Sequence, residues 1–335
     1  MMTTGLTTMS RGRIIGVSAA ISLVTLIALL LYSDLAVLRG IFLQADVYYF
    51  LLCVAAYLAI VFFRTCRLWV LLPAEYRTSL ASCFQLILGH QMIFAIAPGG
   101  LGDLAFPAMA KVQLKIGWQE ALNNLLTVRI QDFLFLSVIA GVSAVIMLAA
   151  TGATVSLILI ISGCIICILI STLTPVASML LNTVIPWVQN KSHQIRAKFH
   201  LPVDAPDNTF VSINHISATA RALSMGLTVM SWFAAALMLW MAFLTFGFEI
   251  AEFHVLILLL GLNLIGAAAI FTIGGMGIAE AGLAGLLVAL GYDKSTAIPV
   301  AMLVRPMILF ITLGFGGGYI PRLLTLTKPP DRNPE

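Results

Sequence analysis

Two arginines stand inside long apolar stretches of this 335-residue chain, as Val128-Arg129 and Val304-Arg305. Arg305 follows Lys294 by eleven residues, about 17 Å along a helix that rises ~1.5 Å per residue. That is too deep for its side chain to reach the headgroups easily by snorkelling. An ionisable group near the bilayer midplane costs at least about 3 kcal/mol, and by default it marks a functional or a paired site. A guanidinium group keeps its charge and presents planar, bidentate donors that match phosphate. Arg129 is less securely deep, because the firmly apolar part of its helix begins at Phe133. Its i,i+3 spacing to Asp132 suits an interfacial ion pair, so substrate binding and structural pairing both fit it. Two acids recur beside glycine clusters: Asp103 directly follows Gly102, and Glu280 lies three residues past Gly277. They can balance charge, couple protons, or sit in the first turn of a helix and favour its dipole. Arg129, Arg305, Asp103, Glu280 and Asp132 are thus the candidate substrate-binding residues, for a lipid phosphate held at a midplane cavity.

The glycines beside these acids form two similar clusters, Pro98-Gly99-Gly100-Leu101-Gly102 and Ile273-Gly274-Gly275-Met276-Gly277. Each follows an apolar helix, leads into a short segment ending at Gly117 or Gly291, and then meets the long apolar stretch that carries Val-Arg. From the last glycine of each cluster to its arginine the distance is 27 residues in the first half and 28 in the second. Such correspondence points to an internal repeat, with pseudo-repeats at about 47–150 and 222–320. Non-helical backbone at membrane depth is tolerated only where protein or water covers it, so Gly99, Gly100, Gly102, Gly274, Gly275 and Gly277 are expected to break helices beside a cavity. Tight helix packing, for which membrane helices favour small residues, is the competing explanation.

The elements that must position these groups are membrane helices. Hydrophobic residues make up 61% of the chain and charged ones 10%, against roughly half and a quarter in soluble domains. A helix crosses with roughly 17 to 25 apolar residues, a test met by Ile14–Tyr32, Val47–Phe63, Leu122–Ala150, Val155–Leu173, Leu223–Gly247 and Ala297–Tyr319. Ser79–Ala97 and Phe253–Thr272 are apolar too and run into the glycine clusters. The fold class expected is an all-α polytopic membrane protein. It would have about six full spans and two broken or re-entrant hairpins, about eight hydrophobic segments in one transmembrane domain over 1–335. The first stretch is longer than a signal peptide's apolar region and has no clean small-residue cleavage site after it.

Basic residues in short loops are retained on the cytoplasmic side. With the N-terminus inside, 14 of the 18 lysines and arginines fall inside, in groups that include Arg64, Arg67 and Arg77 and also Lys111 and Lys115. Only Arg39 and Lys294 fall outside. Under that topology the first glycine hairpin enters from the cytoplasm and the second from outside, so the repeats are inverted, an architecture that places transport sites near the midplane. The polar segment 186–220 is expected to be a cytoplasmic interfacial loop. Its basic residues fit plain inside retention better than specific lipid recognition. Both termini are expected to be cytoplasmic, in the inner membrane.

The chain resembles the lysylphosphatidylglycerol synthase transmembrane region family of flippase-like membrane proteins, roughly from Arg64 to Pro321. The most specific stretch is Gly274-Gly275-Met276-Gly277-Ile278-Ala279-Glu280-Ala281, similar to that family's P-G-G-L-G-x-x-E-A signature, followed by Gly291 and Arg305. Gly102 and Asp103 match its Gly-Glu, and Arg129 and Asp132 match its later Arg and Asp. Phe106, Val128 and Ile273 depart from its Arg, Glu and Pro, and Phe106 removes a cation that an anion site of the family's kind would contain. The resemblance implies a bacterial or archaeal inner-membrane protein linked to aminoacylated lipids, polyprenyl-linked glycans or hopanoid-type lipids. Members with lysyl transfer activity carry a soluble catalytic domain after the membrane part, so aminoacyl transfer is not expected of this segment.

No GxSxG, HExxH or P-loop motif occurs, and the five histidines lack metal-ligand spacing. His90, beside Gln91 near the end of an apolar stretch, fits a hydrogen-bonded core or cavity residue. Enzyme activity, catalytic residues, metal, cofactor and nucleic acid are therefore not expected. Cys53, Cys66, Cys83, Cys164 and Cys167 are scattered through or beside apolar helices, and no disulfide framework is indicated. The expected activity is lipid transport or flippase-like handling of a phospholipid or polyprenyl-phosphate-linked lipid. The alternatives are a secondary transporter of a small solute or ion, and a non-catalytic membrane partner of a lipid-modifying or glycosyl transferase. The expected partner is the membrane lipid, with a homo-oligomer or enzymes of lipid and glycan biosynthesis as further candidates.

Overall fold

The computed structural model describes residues 11–33, 35–97, 101–151, 217–268 and 272–318. Among these residues all regular structure is helical. In chain order the helices are α1 (Arg11–Tyr32), α2 (Leu35–Leu43), α3 (Val47–Leu71), α4 (Leu80–Ile96), α5 (Leu101–Leu114), α6 (Trp118–Thr151), α7 (Ala218–Thr245), α8 (Glu252–Ala268), α9 (Ile278–Ala289) and α10 (Lys294–Gly317). Single 3₁₀ turns lie at Ala74–Tyr76 and Ile273–Gly275. The chain is an all-α polytopic membrane protein. Among the described residues four helical stretches are long and apolar enough to cross a bilayer, Val47–Leu71, Glu120–Ser143, Thr219–Thr245 and Lys294–Gly317. A fifth is counted if Ser22–Leu31 and Leu35–Leu43, bent by 93°, make one span. The expected span Val155–Leu173, the glycines Gly99 and Gly100, and nearly all of segment 186–220 lie outside the described residues.

The two expected hairpins are present as pairs of short helices. α4 has 17 residues and is followed by the 14 of α5, while α8 also has 17 and is followed by the 12 of α9. Each pair lies between two long helices, α3 and α6 in the first half, α7 and α10 in the second. α4 stops at Ile96, one residue short of the position before Pro98, which proline's ring biases away from helical backbone. After α8 the chain instead turns on glycine. Gly274, Gly275 and Gly277 have φ of 59°, 74° and 85°, a left-handed conformation that costs other residues roughly 1–2 kcal/mol. Gly291, at φ 92°, ends α9 in the same way, with the Tyr292 amide donating to the Leu287 carbonyl at 3.1 Å. α10 then begins at Asp293, whose carboxylate accepts from the Ser295 amide at 3.0 Å, an N-cap.

The helices pack as two compact units. One contains Phe84–Ala105 with the described parts of Met1–Phe63 and Met230–Glu335; the other contains Arg64–Cys83 with the described part of Phe106–Val229. In the first unit α9 packs against both α8 and α10, α10 touches α2, and α1 lies on the Ile273–Gly275 turn and on α9 and α10. Small residues permit this. A Cβ on Gly261 would meet the Leu286 side chain, and one on Gly282 would meet Ile265. Leu258, Leu283, Leu287, Val300 and Val304 fill the seams. Exposed apolar side chains such as Leu264 and Phe310 give these helices outer faces suited to hydrocarbon.

In the second unit polar contacts carry more of the packing. The Trp69 Nε1 donates to the Thr78 carbonyl at 3.1 Å, and the Gln113 Nε2 donates to the Ser82 carbonyl at 2.9 Å. Here α3 departs from expectation. Arg64 and Arg67 are not a loop group after a span ending at Phe63, because the helix continues to Leu71 and Arg67 is only 3% exposed.

Candidate functional site

In the first unit the last turn of α4 meets the glycine turn ahead of α9. A Cβ built on Gly274 would collide with the Ala95 carbonyl oxygen, so backbone lies on backbone there. Gly277 is hemmed in by Thr25 and the Ser22 carbonyl of α1. Gly102 behaves otherwise. It lies within the first turn of α5, and a Cβ there would stand 2.6 Å from the Phe94 Cα. Its role is close packing, the competing explanation for the glycine clusters.

Past the glycine turn, α9 begins at Ile278 and Glu280 occupies its first turn, 3% exposed. The Glu280 carboxylate folds back and accepts the Gly277 amide at 2.6 Å, half of a capping box. That satisfies one of the amides a helix start leaves over and sets negative charge at the positive end of its dipole.

α10 packs along α9 and carries Arg305 eleven residues after its first residue and twelve before its last, the centre of the span. Among the described residues, Glu280 is the acid that acts on the guanidinium through space. Part of Arg305 remains accessible, but its Nε is fully enclosed, and the residue makes neither a hydrogen bond nor an ion pair with any described residue. Its cation is therefore balanced at a distance and left with donors to spend.

Asp103, in the first turn of α5, has its Oδ1 3.8 Å from the His90 Nε2 of α4. The histidine side chain is 12% exposed and the aspartate 32%. His90 is thus a largely enclosed residue, as its place in the sequence suggests, and the acid beside it is the neighbour that sequence alone does not name.

Arg129 and Asp132 lie in the second unit, on α6, and form a different cluster. Asp132 Oδ1 accepts from Arg67 at 2.7 Å, and its Oδ2 is 3.9 Å from Arg129. Arg67 also donates to the Thr228 hydroxyl at 2.9 Å, and Gln131 accepts from Ser224 at 2.8 Å. Ser224 and Thr228, on α7, are fully buried. One carboxylate thus faces two guanidiniums, joining α3, α6 and α7 through a buried polar network. Sequence reasoning misses Arg67, because Arg64, Arg67 and Arg77 together look like an ordinary inside loop. The signal available is Asp132, an acid inside an apolar helix that needs a cation. Phe106, where the resemblance would put an arginine, is 4% exposed and belongs to the core.

The model of the family described as lysylphosphatidylglycerol synthase TM region matches residues 15–316. The chain belongs to this family. No curated protein and no solved structure matches it. The match extends well upstream of Arg64, where the motif resemblance begins, and so takes in most of α1 and all of α2 and α3. Every charged residue considered above is inside the family's span.

Proposed function

We propose that this protein binds and moves an anionic lipid within the bilayer, a phospholipid or a polyprenyl-phosphate-linked lipid, and performs no covalent chemistry on it. One observation carries the reading. Arg305 stands at the centre of a membrane-crossing helix, enclosed at its Nε and without a partner among the described residues. Holding such a cation in that place is expensive, and a phosphate oxygen is the group that would use its donors best. Membership of the family supports a membrane role. The repeated order of a long helix, a 17-residue helix, a shorter helix and a long helix supports a transporter built from two related halves. In this reading the halves are inverted, the protein lies in the cytoplasmic membrane, and both termini face inward.

The test is reconstitution into liposomes of phosphatidylcholine and phosphatidylglycerol carrying a fluorescent phosphatidylglycerol, with transbilayer movement read by chemical quenching of the outer leaflet. Arg305→Gln, which keeps a polar N–H donor on a shorter side chain and loses the charge, is expected to lower the rate at least about tenfold while the purified protein keeps its melting temperature. An undiminished rate would end the reading.

A further inference from the structure

The geometry at the start of α9 points to an anion seat that the protein fills with its own carboxylate: we propose that Glu280 is a resident counter-anion which an entering lipid phosphate must displace. The inference rests on the proposed function and deepens it at the same site. A helix start offers free amides to an anion, and α9, twelve residues long, offers them beside a glycine turn that lets the backbone be approached closely. The second, independent observation is Arg305, with an enclosed Nε that has no described partner. Amide donors on one helix and a guanidinium on the helix packed beside it would together suit a phosphate.

The seat is already taken. Glu280 Oε2 accepts the Gly277 amide at 2.6 Å, a short and charge-assisted bond, and the same carboxylate supplies the field that steadies Arg305. A second anion cannot share those donors with it cheaply, since like charges brought together without water repel strongly. Glu280 is therefore expected to swing away as a phosphate enters and to return as it leaves. In this mechanism the returning carboxylate helps to expel the headgroup, which a lipid carrier needs as much as it needs affinity.

The experiment measures equilibrium binding of fluorescent phosphatidylglycerol to the full-length protein in phosphatidylcholine nanodiscs, together with its dissociation rate and the transport rate in liposomes. Glu280→Gln keeps an oxygen able to accept the Gly277 amide but removes the charge. It is expected to bind the probe about tenfold more tightly, to release it more slowly, and to transport it more slowly. Glu280→Asp, too short to reach the amide while still charged, is expected to lie between Gln and the native protein, and it carries the test if the glutamine variant fails to fold. A folded Gln variant that binds no more tightly than the native protein would overturn the proposal, as would an Asp variant that binds no more tightly where Gln does not fold. Arg305→Gln separates the two ideas. If it leaves binding intact, the anion reading itself fails. If it abolishes binding while neither Glu280 variant tightens it, only the displaced counter-anion is wrong.

Discussion

Asp132 carries a burden that its position in sequence hides. Its carboxylate serves Arg67 at 2.7 Å and lies 3.9 Å from Arg129, so the cost of losing one member depends on which member goes. Asp132→Ala takes the carboxylate from the buried Arg67 and is expected to destabilise the protein by about 3–5 kcal/mol, the usual cost of breaking a buried ion pair from one side. Arg67→Met should cost less, because Arg129 remains to face the acid, and the double variant should recover part of the loss. Thermal unfolding in detergent, arranged as a double-mutant cycle, reads both expectations. Equal losses in the two single variants would show that Arg129 offers no compensation. Arg305 and Glu280 are legible in the sequence, because a charge in an apolar run and an acid beside glycines are local signals. Arg67 is not, since its partners lie 65 and 161 residues away and three arginines close together suggest a loop. The nearness of His90 to Asp103 is hidden for a related reason: both residues are in view, but only the packing of α4 against α5 brings them together.

Among elements, the glycines divide into kinds that substitution can tell apart. Gly274→Ala forces a side chain into left-handed backbone and against the Ala95 carbonyl, so a loss of at least about 2 kcal/mol is expected. Gly285→Ala, in the middle of α9 with nothing within 4 Å of its added carbon, should be neutral or stabilising by up to about 1 kcal/mol. The contrast is read from the melting temperatures of the two variants. The start of α10 supplies a test by pH. Hydrogen bonding from Ser295 holds the exposed Asp293 carboxyl below the usual carboxylate range. With the folded value depressed, the cap's contribution is complete above the ordinary carboxylate pKa and is lost as pH falls through the lowered one. Relative to Asp293→Asn, hydrogen exchange at Ser295 and Thr296 should be slower near neutral pH, and the difference should vanish in acid. Helix breaks are legible from Gly-Gly-x-Gly. Which glycines bend the chain and which admit a neighbour is not, because that depends on φ and on what lies opposite, as the contrast of Gly277 with Gly102 demonstrates.

For the whole molecule, composition, span length and the recurrence of Val-Arg make the membrane class and the repeated order of helices plain from sequence. The grouping of helix segments into two units is beyond it, because α3, α4, α5 and α7 each contribute to both units and no periodicity marks such a division. The proposed inversion of the halves carries a direct expectation. In a variant freed of native cysteines, Lys115→Cys should react with a membrane-impermeant maleimide only from the cytoplasmic side, and Lys294→Cys only from the other. Labelling of both from one side would remove the inverted arrangement while leaving the helices as described. The apposition of Gly274 and Ala95 has a mechanical consequence of its own. With no side chain between the two strands of backbone to act as a cushion, the end of one apolar helix and the turn before another are geared together like touching cogs. In the proposed lipid-moving cycle, a headgroup that displaces either is expected to move the other with it.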